Sequence, residues 1–358
     1  MLVTPVLNLT GVPRVVSLLA NELQKKYRVL VVVFEHSNNL LDLDTNVEVI
    51  NLHTPFVKKG RLSKLLMFWK RVFKLARQIL KHEPCKIITF SESANFVGIF
   101  AALIIGKRKL VSVSIHDAPA YLDSRYKKLF RAVYSLPSRV LCVSRGIMST
   151  LATDYKIAPN KLAYVKNPCQ LNGGSSSKKE TDIFKPYILG VGRLNNQKGF
   201  DILIRSYAKV ADALGVNLVI IGEGPRRAEL ENLVSDLGVG SRVFLVGEKV
   251  EMAPYYAMAS LFVLSSRHEG WPIVLMEAML HKVPVIAADC PTGPAELIRN
   301  DKNGILVAKE NVDELAGAII RLYSDKKKSS ELVHQAYLDV QQHLPSAVIA
   351  DWLVEPVN

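Results

Sequence analysis

The chain has few cysteines and few long apolar runs, and both shortages limit the classes of protein to which it can belong. Its four cysteines, Cys85, Cys142, Cys169 and Cys290, are widely spaced and form no C-x-x-C pair. This spacing argues against a disulfide framework or a zinc site and favours reduced thiols. No apolar run reaches the ~18 residues that a membrane-spanning helix needs, and the first residues lack the basic-then-apolar order of a secretory signal. We therefore expect a protein of the cytoplasm.

Acidic residues are scarce in the first half of the chain. Residues 1–170 hold 26 Lys and Arg against 10 Asp and Glu, whereas the remainder holds 20 against 23. The net charge of +13 at pH 7 therefore belongs to the first half. Such an asymmetry indicates a polyanionic partner, either nucleic acid or an anionic membrane face.

Strand and helix patterns alternate along the chain, which is the signature of parallel, doubly wound sheets. A hydrophobic content of 49% in 358 residues is enough for two cores. Residues 171–183, rich in Gly, Ser and Lys, form the clearest linker. The sequence thus predicts an α/β protein with two Rossmann-like domains, residues 1–170 and 184–337, and a helical tail at about 338–358.

The stretch Arg267 to Glu277 follows an apolar run and opens a helical pattern. Pro272 suits the first helical position, so the amides of the first turn, with those of Gly270, Trp271 and Ile273, can receive anionic oxygens. Glu269 in the loop and Glu277 on the helix reach different parts of one ligand. By spacing alone, however, such a pair of carboxylates is more often a solvated pair.

Other loops that follow strands carry further candidates. Gly192 and Arg193 end one strand and Lys198 precedes the next helix, so two cations converge where an anion would lie. Glu223 lies in the loop after the next strand. In the first half, Gly11 lies between a short strand and a helix, and its loop is by itself equally consistent with a simple turn.

His116 ends a strand, where open α/β sheets place functional groups, although a lone His there is more often structural.

A long helix, from about Arg61 to Lys81, combines an apolar stripe containing Trp69 and Phe73 with a purely basic arc. One interpretation is an ordinary surface helix, with the apolar stripe on the core and the basic face in solvent. The other is a helix that attracts anionic headgroups or pyrophosphates, at ~1 kcal/mol per Lys or Arg. Nucleic acid is disfavoured because no nucleic-acid module is recognised and aromatics are not interleaved with the basic residues. The residues expected to bind membrane or acceptor are Lys64, Lys70, Arg71, Lys74, Arg77 and Lys81.

The stretch from Glu269 to Glu277 resembles the E-x7-E signature of the retaining group 1 (family 4) glycosyltransferases, which have the GT-B fold. Arg193 and Lys198 match the R-x4-K pair of the family, and the resemblance covers most of the chain. This sequence departs from the family pattern at Gly11, because a valine follows it where the family usually has paired glycines.

The resemblance implies two Rossmann-like domains facing a cleft and a C-terminal helix that crosses back to the first domain. It also implies catalytic roles for Glu269, His116, Arg193 and Lys198. The donor would be bound by Gly11, Gly192, Arg193, Lys198, Glu223, Gly270, Trp271, Pro272, Ile273 and Glu277.

The function implied by the resemblance is retaining transfer of a hexose or N-acetylhexosamine from a nucleotide sugar to a membrane-lipid-linked saccharide. Such transferases build bacterial surface polysaccharides, such as lipopolysaccharide or capsule, at the inner face of the membrane. UDP-sugars are the expected donors, with GDP-mannose as the alternative. No metal or other cofactor is expected, because two cations and helix dipoles neutralise the diphosphate. The alternatives are a non-hydrolysing nucleotide-sugar epimerase and a nucleotide-sugar-binding subunit without turnover.

Overall fold

The structure is a computed structural model that describes residues 1–8, 11–35, 43–56, 60–116, 127–171 and 184–353. The chain divides into two compact units, one formed by Met1–Pro168 and Pro345–Asn358 and the other by Cys169–Leu344. Of the expected linker, residues 172–183 lie outside the described residues. The tail joins the first unit later than the expected residue 338, because the helix Lys326–Val340 packs against the helix Ile273–Leu280 of the second unit.

The first unit contains a seven-stranded parallel sheet in the order β3-β2-β1-β4-β5-β6-β7. Its central strands are short Val- and Ile-rich runs that are buried along their whole length, as expected of a parallel sheet covered on both faces. The strands are β1 Leu2–Thr4, β2 Leu30–Val33, β3 Glu48–Asn51, β4 Ile87–Phe90, β5 Val111–Ile115, β6 Arg139–Cys142 and β7 Leu162–Tyr164. The helices between them are α1 Gly11–Leu23, α2 Arg61–His82, α3 Glu92–Ile104, α4 Lys127–Tyr134 and α5 Arg145–Thr153.

The second unit contains a six-stranded parallel sheet in the order β10-β9-β8-β11-β12-β13. Its strands are β8 Tyr187–Val191, β9 Asn217–Ile221, β10 Val243–Leu245, β11 Leu261–Leu264, β12 Val285–Asp289 and β13 Ile305–Ala308. Its helices are α6 Phe200–Ala208, α7 Ala211–Leu214, α8 Arg227–Asp236, α9 Ala253–Met258, α10 Ile273–Leu280, α11 Pro294–Leu297, α12 Val312–Ser324 and α13 Lys326–Val340. Buried aliphatic residues of β8, β9 and α6, among them Ile188, Leu218 and Leu203, form its core.

Both sheets reverse their strand order at one place, between β1 and β4 in the first and between β8 and β11 in the second. In doubly wound sheets, ligands bind outside the carboxyl ends of the strands at this switch point. The prediction of two Rossmann-like domains is therefore confirmed, and the topology directs attention to the loops that follow β8 and β11.

A last helix, α14 (Pro345–Trp352), returns to the first unit, as expected, and packs against α1. Trp352 is fully buried, and its Nε1 donates to the carbonyl oxygen of Lys166 at 2.8 Å. Its ring stacks on Phe90 with centroids 5.5 Å apart. The end of the chain is thus part of the core of the first unit.

Helix α2 begins and ends close to its predicted bounds but buries only one edge of its apolar stripe. Val72, Leu75, Ala76 and Ile79 are buried. Six large apolar residues of the helix are exposed, which excludes the interpretation of an ordinary surface helix whose whole stripe covers the core. They are Leu62, Leu65, Leu66, Trp69, Phe73 and Leu80.

Two members of the predicted basic arc donate hydrogen bonds to backbone carbonyls of the protein. Arg71 is buried, and its Nη2 donates to the carbonyl oxygens of Thr54 at 2.8 Å and Pro55 at 3.2 Å. Lys74 donates from Nζ to the carbonyl oxygen of Leu52 at 2.6 Å. Carbonyls after β3 need donors, and these two side chains supply them. Arg71 is therefore withdrawn from the surface on which it was predicted, whereas Lys74 is half-buried.

The other four basic residues of the arc, Lys64, Lys70, Arg77 and Lys81, are exposed as predicted. Among the described residues, no helix is both long enough and apolar enough to cross a bilayer.

Candidate active site

The loops after β8, β9 and β11 touch one another through glycines. Gly199 has a φ of 61°, and a Cβ there would overlap the carbonyl oxygen of Ser265. Gly222 has a φ of 141°, and a Cβ there would overlap the carbonyl oxygen of Gly192. A side chain at either position would push two loops apart. Gly199 therefore allows the Lys198 loop to meet the loop after β11, and Gly222 allows the loops after β8 and β9 to meet.

Lys198 and Glu269 form the centre of this site. Glu269 Oε1 accepts from Lys198 Nζ at 2.5 Å and from Ser266 Oγ at 2.6 Å. The Glu269 side chain is 6% exposed and that of Lys198 is 17% exposed, so the pair is largely withdrawn from water. The structure therefore brings together two residues that the sequence placed in separate motifs, and it adds Ser266, which sequence reasoning missed.

The Glu269 loop is held in place from the far side by an ion-pair network. Arg267 donates to both carboxylate oxygens of Asp201, at 2.7 and 2.9 Å, and to Glu310 at 2.8 Å. Burial raises the pKa of Asp201, but the hydrogen bond and charge of Arg267, with the charge of Arg226, lower that pKa overall. The bidentate arrangement fixes both distance and orientation, so it restricts the position of the loop that carries Glu269.

The loop after β12 fixes the backbone of the same stretch. Thr292 Oγ1 donates to the carbonyl oxygen of Glu269, and Gly293, with a φ of 92°, packs against Pro272. Pro272 is the N-cap of α10 rather than its first helical residue, so the helix begins one residue later than predicted, at Ile273. The first amides of a helix have no partner within it, so those of Ile273 and its neighbour are suited to an anion.

Trp271 contributes a buried anchor to this loop. It is 6% exposed, its Nε1 contacts Met276 Sδ at 3.3 Å, and its ring lies 5.4 Å from that of His343. The side chain therefore secures the turn between Gly270 and α10, and the backbone of that turn is the part suited to bind a ligand.

Glu277 lies on α10, eight positions after Glu269 in the sequence, and is largely buried. Its Oε2 accepts from the hydroxyl of Tyr256 at 2.8 Å, and Tyr256 stacks on His281 at 5.3 Å. Burial also lowers the pKa of His281, which favours the neutral ring beside Tyr256. Sequence reasoning missed Tyr256, because it precedes β11 by a few residues and carries no motif.

Arg193 and Glu223 lie at the exposed rim of these loops. Glu223 Oε1 accepts from Arg227 Nη1 at 2.6 Å, and the Glu223 carbonyl accepts from the Leu194 amide at 2.9 Å. Gly192 lies under the stem of Lys198, where a Cβ would come within 3.1 Å of that side chain. Of these three candidates, Gly192 lies directly against the Lys198 side chain, and Glu223 is held by Arg227 at the start of α8.

Two of the predicted catalytic or donor-binding residues, Gly11 and His116, belong to the first unit. Gly11 is the exposed first residue of α1. His116 follows β5, and its Nε2 lies 2.7 Å from Ser114 Oγ. Burial lowers the pKa of His116 to about 3, so the imidazole is neutral at physiological pH.

No cluster of three or more His, Cys, Asp or Glu side chains suited to a metal ion occurs within the described ranges.

Solved structures with the same architecture identify the fold. The Anabaena protein HepE, whose structure holds UDP and glucose, superposes with a TM-score of 0.81 over 99% of this chain and 98% of its own, at 21% identity. The likeness shows that this chain has the GT-B fold, as predicted.

Sequence comparisons then identify the family. Residues 175–339 match the family of glycosyl transferases group 1, and residues 9–172 match Glycosyltransferase Family 4. Together these two matches span nearly the whole chain, which is therefore a group 1, family 4-like glycosyltransferase.

Two relatives from Campylobacter jejuni are named for transfer to lipid-linked sugars. The first, the α-1,4-N-acetyl-D-galactosaminyltransferase that acts on GalNAc-α-(1→4)-GalNAc-α-(1→3)-diNAcBac-PP-undecaprenol, is 27% identical over 97% of this chain and 95% of its own. The second, an N-acetylgalactosamine-N,N'-diacetylbacillosaminyl-diphospho-undecaprenol 4-α-N-acetylgalactosaminyltransferase, is 28% identical over 66% of this chain and 67% of its own.

Proposed function

We propose that this glycosyltransferase moves a hexose or N-acetylhexosamine from a UDP-sugar to a lipid-linked saccharide, with retention, in bacterial surface polysaccharide or glycan synthesis. The observation that carries the proposal is the Lys198–Glu269–Ser266 arrangement at the switch point of the second sheet. Transfer from a nucleotide sugar separates charge, because the diphosphate leaves as an anion and the sugar becomes positive. A fixed cation beside a fixed carboxylate matches both charges.

In the proposed reaction, the bond between the anomeric carbon and the diphosphate oxygen breaks as the acceptor hydroxyl oxygen bonds to the same face of that carbon. The proton of the acceptor hydroxyl passes to the departing phosphate oxygen. Lys198, Arg193 and the first amides of α10 stabilise the leaving diphosphate, and Glu269 stabilises the positive sugar. Ser266 keeps the Glu269 carboxylate in place when Lys198 turns to the phosphate.

Several observations support a UDP-sugar as donor. The structure of HepE holds UDP and glucose, and the two Campylobacter relatives are named for N-acetylgalactosamine transfer. Glu277 is a buried carboxylate held by Tyr256 on the helix whose amide end is suited to phosphate. A carboxylate in that position is suited to accept hydrogen bonds from the two vicinal hydroxyls of a ribose.

The surface of the first unit supports a lipid-linked acceptor at an anionic membrane. The exposed apolar residues of α2 continue onto α3, where Leu103 and Ile104 are also exposed and Phe100 lies 6.1 Å from Trp69. The α2 apolar face, defined as Leu62, Leu65, Leu66, Trp69 and Phe73, is flanked by the exposed bases Lys64, Lys70, Arg77 and Lys81. A mixed apolar and basic face favours anionic lipid over a second copy of the chain, which would carry the same charge.

The test is glycosyl transfer by the purified full chain. It is incubated with radiolabelled UDP-glucose, UDP-galactose, UDP-N-acetylglucosamine or UDP-N-acetylgalactosamine and with polyprenyl-diphosphate-linked saccharides in vesicles. We expect radiolabel from one of these donors in the lipid fraction, and the anomeric proton signal in the NMR spectrum of the product should show an α-linkage.

Three results would contradict the proposal. Epimerisation of the donor without any acceptor would identify an epimerase, and donor binding without turnover would identify a binding subunit. A β-linked product would leave the transferase activity in place but would refute transfer with retention of the anomeric configuration.

A further inference from the structure

The two loops that carry Lys198 and Glu269 are joined along consecutive peptide groups. The Lys198 loop is residues 192–199, between β8 and α6, and the Glu269 loop is residues 265–272, between β11 and α10. Three successive carbonyl oxygens of the Lys198 loop accept hydrogen bonds from the Glu269 loop. They are Asn196 O from Arg267 Nη1 at 2.9 Å, Gln197 O from the Arg267 amide at 2.7 Å and Lys198 O from Ser265 Oγ at 3.0 Å.

A fourth hydrogen bond runs in the opposite direction. Gln197 Nε2 donates to the carbonyl oxygen of His268 at 3.1 Å. His268 directly precedes Glu269 in the chain, and the carbonyl that Ser265 meets is that of Lys198 itself. The side chains of Gln197 and Ser265 therefore each hold the backbone at, or next to, one member of the charged pair.

These two side-chain bonds depend on the strand order of the second sheet. The partners lie 71 and 67 residues apart in the sequence, and β8 and β11, which precede the two loops, are neighbours in the sheet. Ser265 is 3% exposed and Gln197 is half-buried. Removal of a donor from such a place leaves a carbonyl oxygen short of a partner, which costs more than the loss of an exposed bond.

The four bonds fix backbone positions and leave the charged groups of the pair outside them. Lys198 takes part through its carbonyl alone, so these bonds do not restrain its Nζ. In the proposed reaction that Nζ leaves Glu269 for the diphosphate, while the Glu269 carboxylate faces the sugar. Both groups act on one breaking bond, so the separation of their backbones has to stay constant while the Lys198 side chain turns.

We propose that Gln197 and Ser265 are positioning residues that hold the Lys198 and Glu269 loops together as one body during transfer. This role rests on the proposed glycosyl transfer. A donor then displaces the Lys198 side chain and not its loop, and the cation and the carboxylate stay aligned on the same bond.

The first test is amide hydrogen exchange of the full chain without any substrate, read by mass spectrometry on peptides that contain Arg267. The Arg267 amide donates to Gln197, so its exchange reports separation of the two loops. Gln197→Ala and Ser265→Ala should each speed this exchange by about 3- to 10-fold, the effect of one lost hydrogen bond.

Ser206→Ala is the matched control for this exchange. Ser206 is a buried serine of α6 whose hydroxyl donates to the Val312 carbonyl at 3.0 Å, away from both loops. The substitution should leave the exchange of the Arg267 amide unchanged. An equal acceleration in Ser206→Ala would mean that this amide exchanges through general unfolding, and it would overturn the inference.

The second test is kinetic. Gln197→Ala and Ser265→Ala should each lower kcat by about 10- to 100-fold with little change in the KM of the donor, because alignment matters most in the transition state. Ser206→Ala, and Asn217→Ala, which removes a side-chain amide bond to the Phe184 carbonyl, should keep the wild-type kcat. Urea unfolding of all four variants identifies any loss that comes from stability alone. Wild-type kcat in both Gln197→Ala and Ser265→Ala would overturn the inference.

The two proposals fail separately. An enzyme that transfers sugar and tolerates both substitutions would refute the positioning role and leave glycosyl transfer intact. A chain in which both substitutions speed the exchange of the Arg267 amide, but which transfers no sugar to any acceptor, would refute the proposed function and with it the role of these two residues in transfer.

Discussion

Lys198 Nζ and Glu269 Oε1 lie 2.5 Å apart, although 71 residues separate them in the sequence. One belongs to the cation pair after β8 and the other to the carboxylate pair around α10. The positive charge of Lys198 and the negative charge of Glu269 balance each other where both side chains are largely buried. A bound diphosphate would compete with Glu269 for Lys198, which links donor binding to the position of the carboxylate.

Replacing Glu269 by Gln should abolish transfer while keeping the fold. Gln keeps the shape and one acceptor for Ser266 but removes the charge that stabilises the positive sugar, so we expect kcat to fall by at least about 100- to 1000-fold. The measurement is initial-rate kinetics together with urea unfolding. Lys209→Ala, which removes a surface ion pair with Asp313 in the same unit, is the control and should keep its activity.

Gly199→Ala should destabilise the protein far more than Gly215→Ala. Both glycines have nearly equal positive φ, 61° and 58°, so both substitutions carry a similar backbone cost of about 1–2 kcal/mol. Only at Gly199 does the new Cβ also overlap Ser265, which adds about 1–3 kcal/mol. Urea unfolding compares the free energies of unfolding of the two variants. Equal losses would contradict the prediction, because they would show that the loops after β8 and β11 can separate without a cost in free energy.

The Arg267–Asp201 pair should make stability depend on pH at the acid end. The folded-state pKa of Asp201 is lowered below an unfolded value of about 3.9, so its contribution is present above that pH and is lost as pH falls through the folded pKa. We expect Asp201→Asn to cost about 2 kcal/mol at pH 7, less than a fully buried pair because both side chains are partly exposed.

The difference between wild type and Asp201→Asn should therefore shrink in urea unfolding below about pH 4. Asp313→Asn, at an exposed pair, serves as the control and should change stability by less than about 0.5 kcal/mol at any pH. A gap between wild type and Asp201→Asn that stays constant down to pH 2 would contradict the assignment.

The α2 apolar face and its basic flank should contribute to membrane binding in different ways. In vesicles that contain phosphatidylglycerol, Leu66→Ser with Trp69→Ser should remove the binding that persists at 0.5 M NaCl, because burial of apolar surface is not screened. Neutralising Lys70 and Arg77 with Gln should weaken binding at low salt by ~1 kcal/mol per residue.

Vesicle co-sedimentation measures both effects. Ile320→Ser, at an exposed apolar residue of α12 in the other unit, is the control. Binding of the Leu66 and Trp69 variant at wild-type strength would refute the membrane role of this face.

The sequence was sufficient for the fold class and for most of the elements. Val-rich runs alternating with amphipathic stretches predicted the parallel sheets, since strands buried on both faces leave that pattern. Glu269 and Lys198 were singled out by the resemblance of their motifs to those of the family, and their roles stay predictions. Their contact was not predicted, because it depends on β8 and β11 becoming neighbours in the sheet.

The sequence alone determined the fold class, the order of the elements and the motif residues, because periodicity and turn chemistry are local properties. Only the tertiary structure decided that Ser266, Thr292 and Tyr256 support the two glutamates, since each reaches its partner through strand order or loop packing. It also decided that Arg71 is a buried donor while Trp69 is exposed. Helical periodicity shows which residues share a face, but which face is covered depends on the neighbours that pack against it.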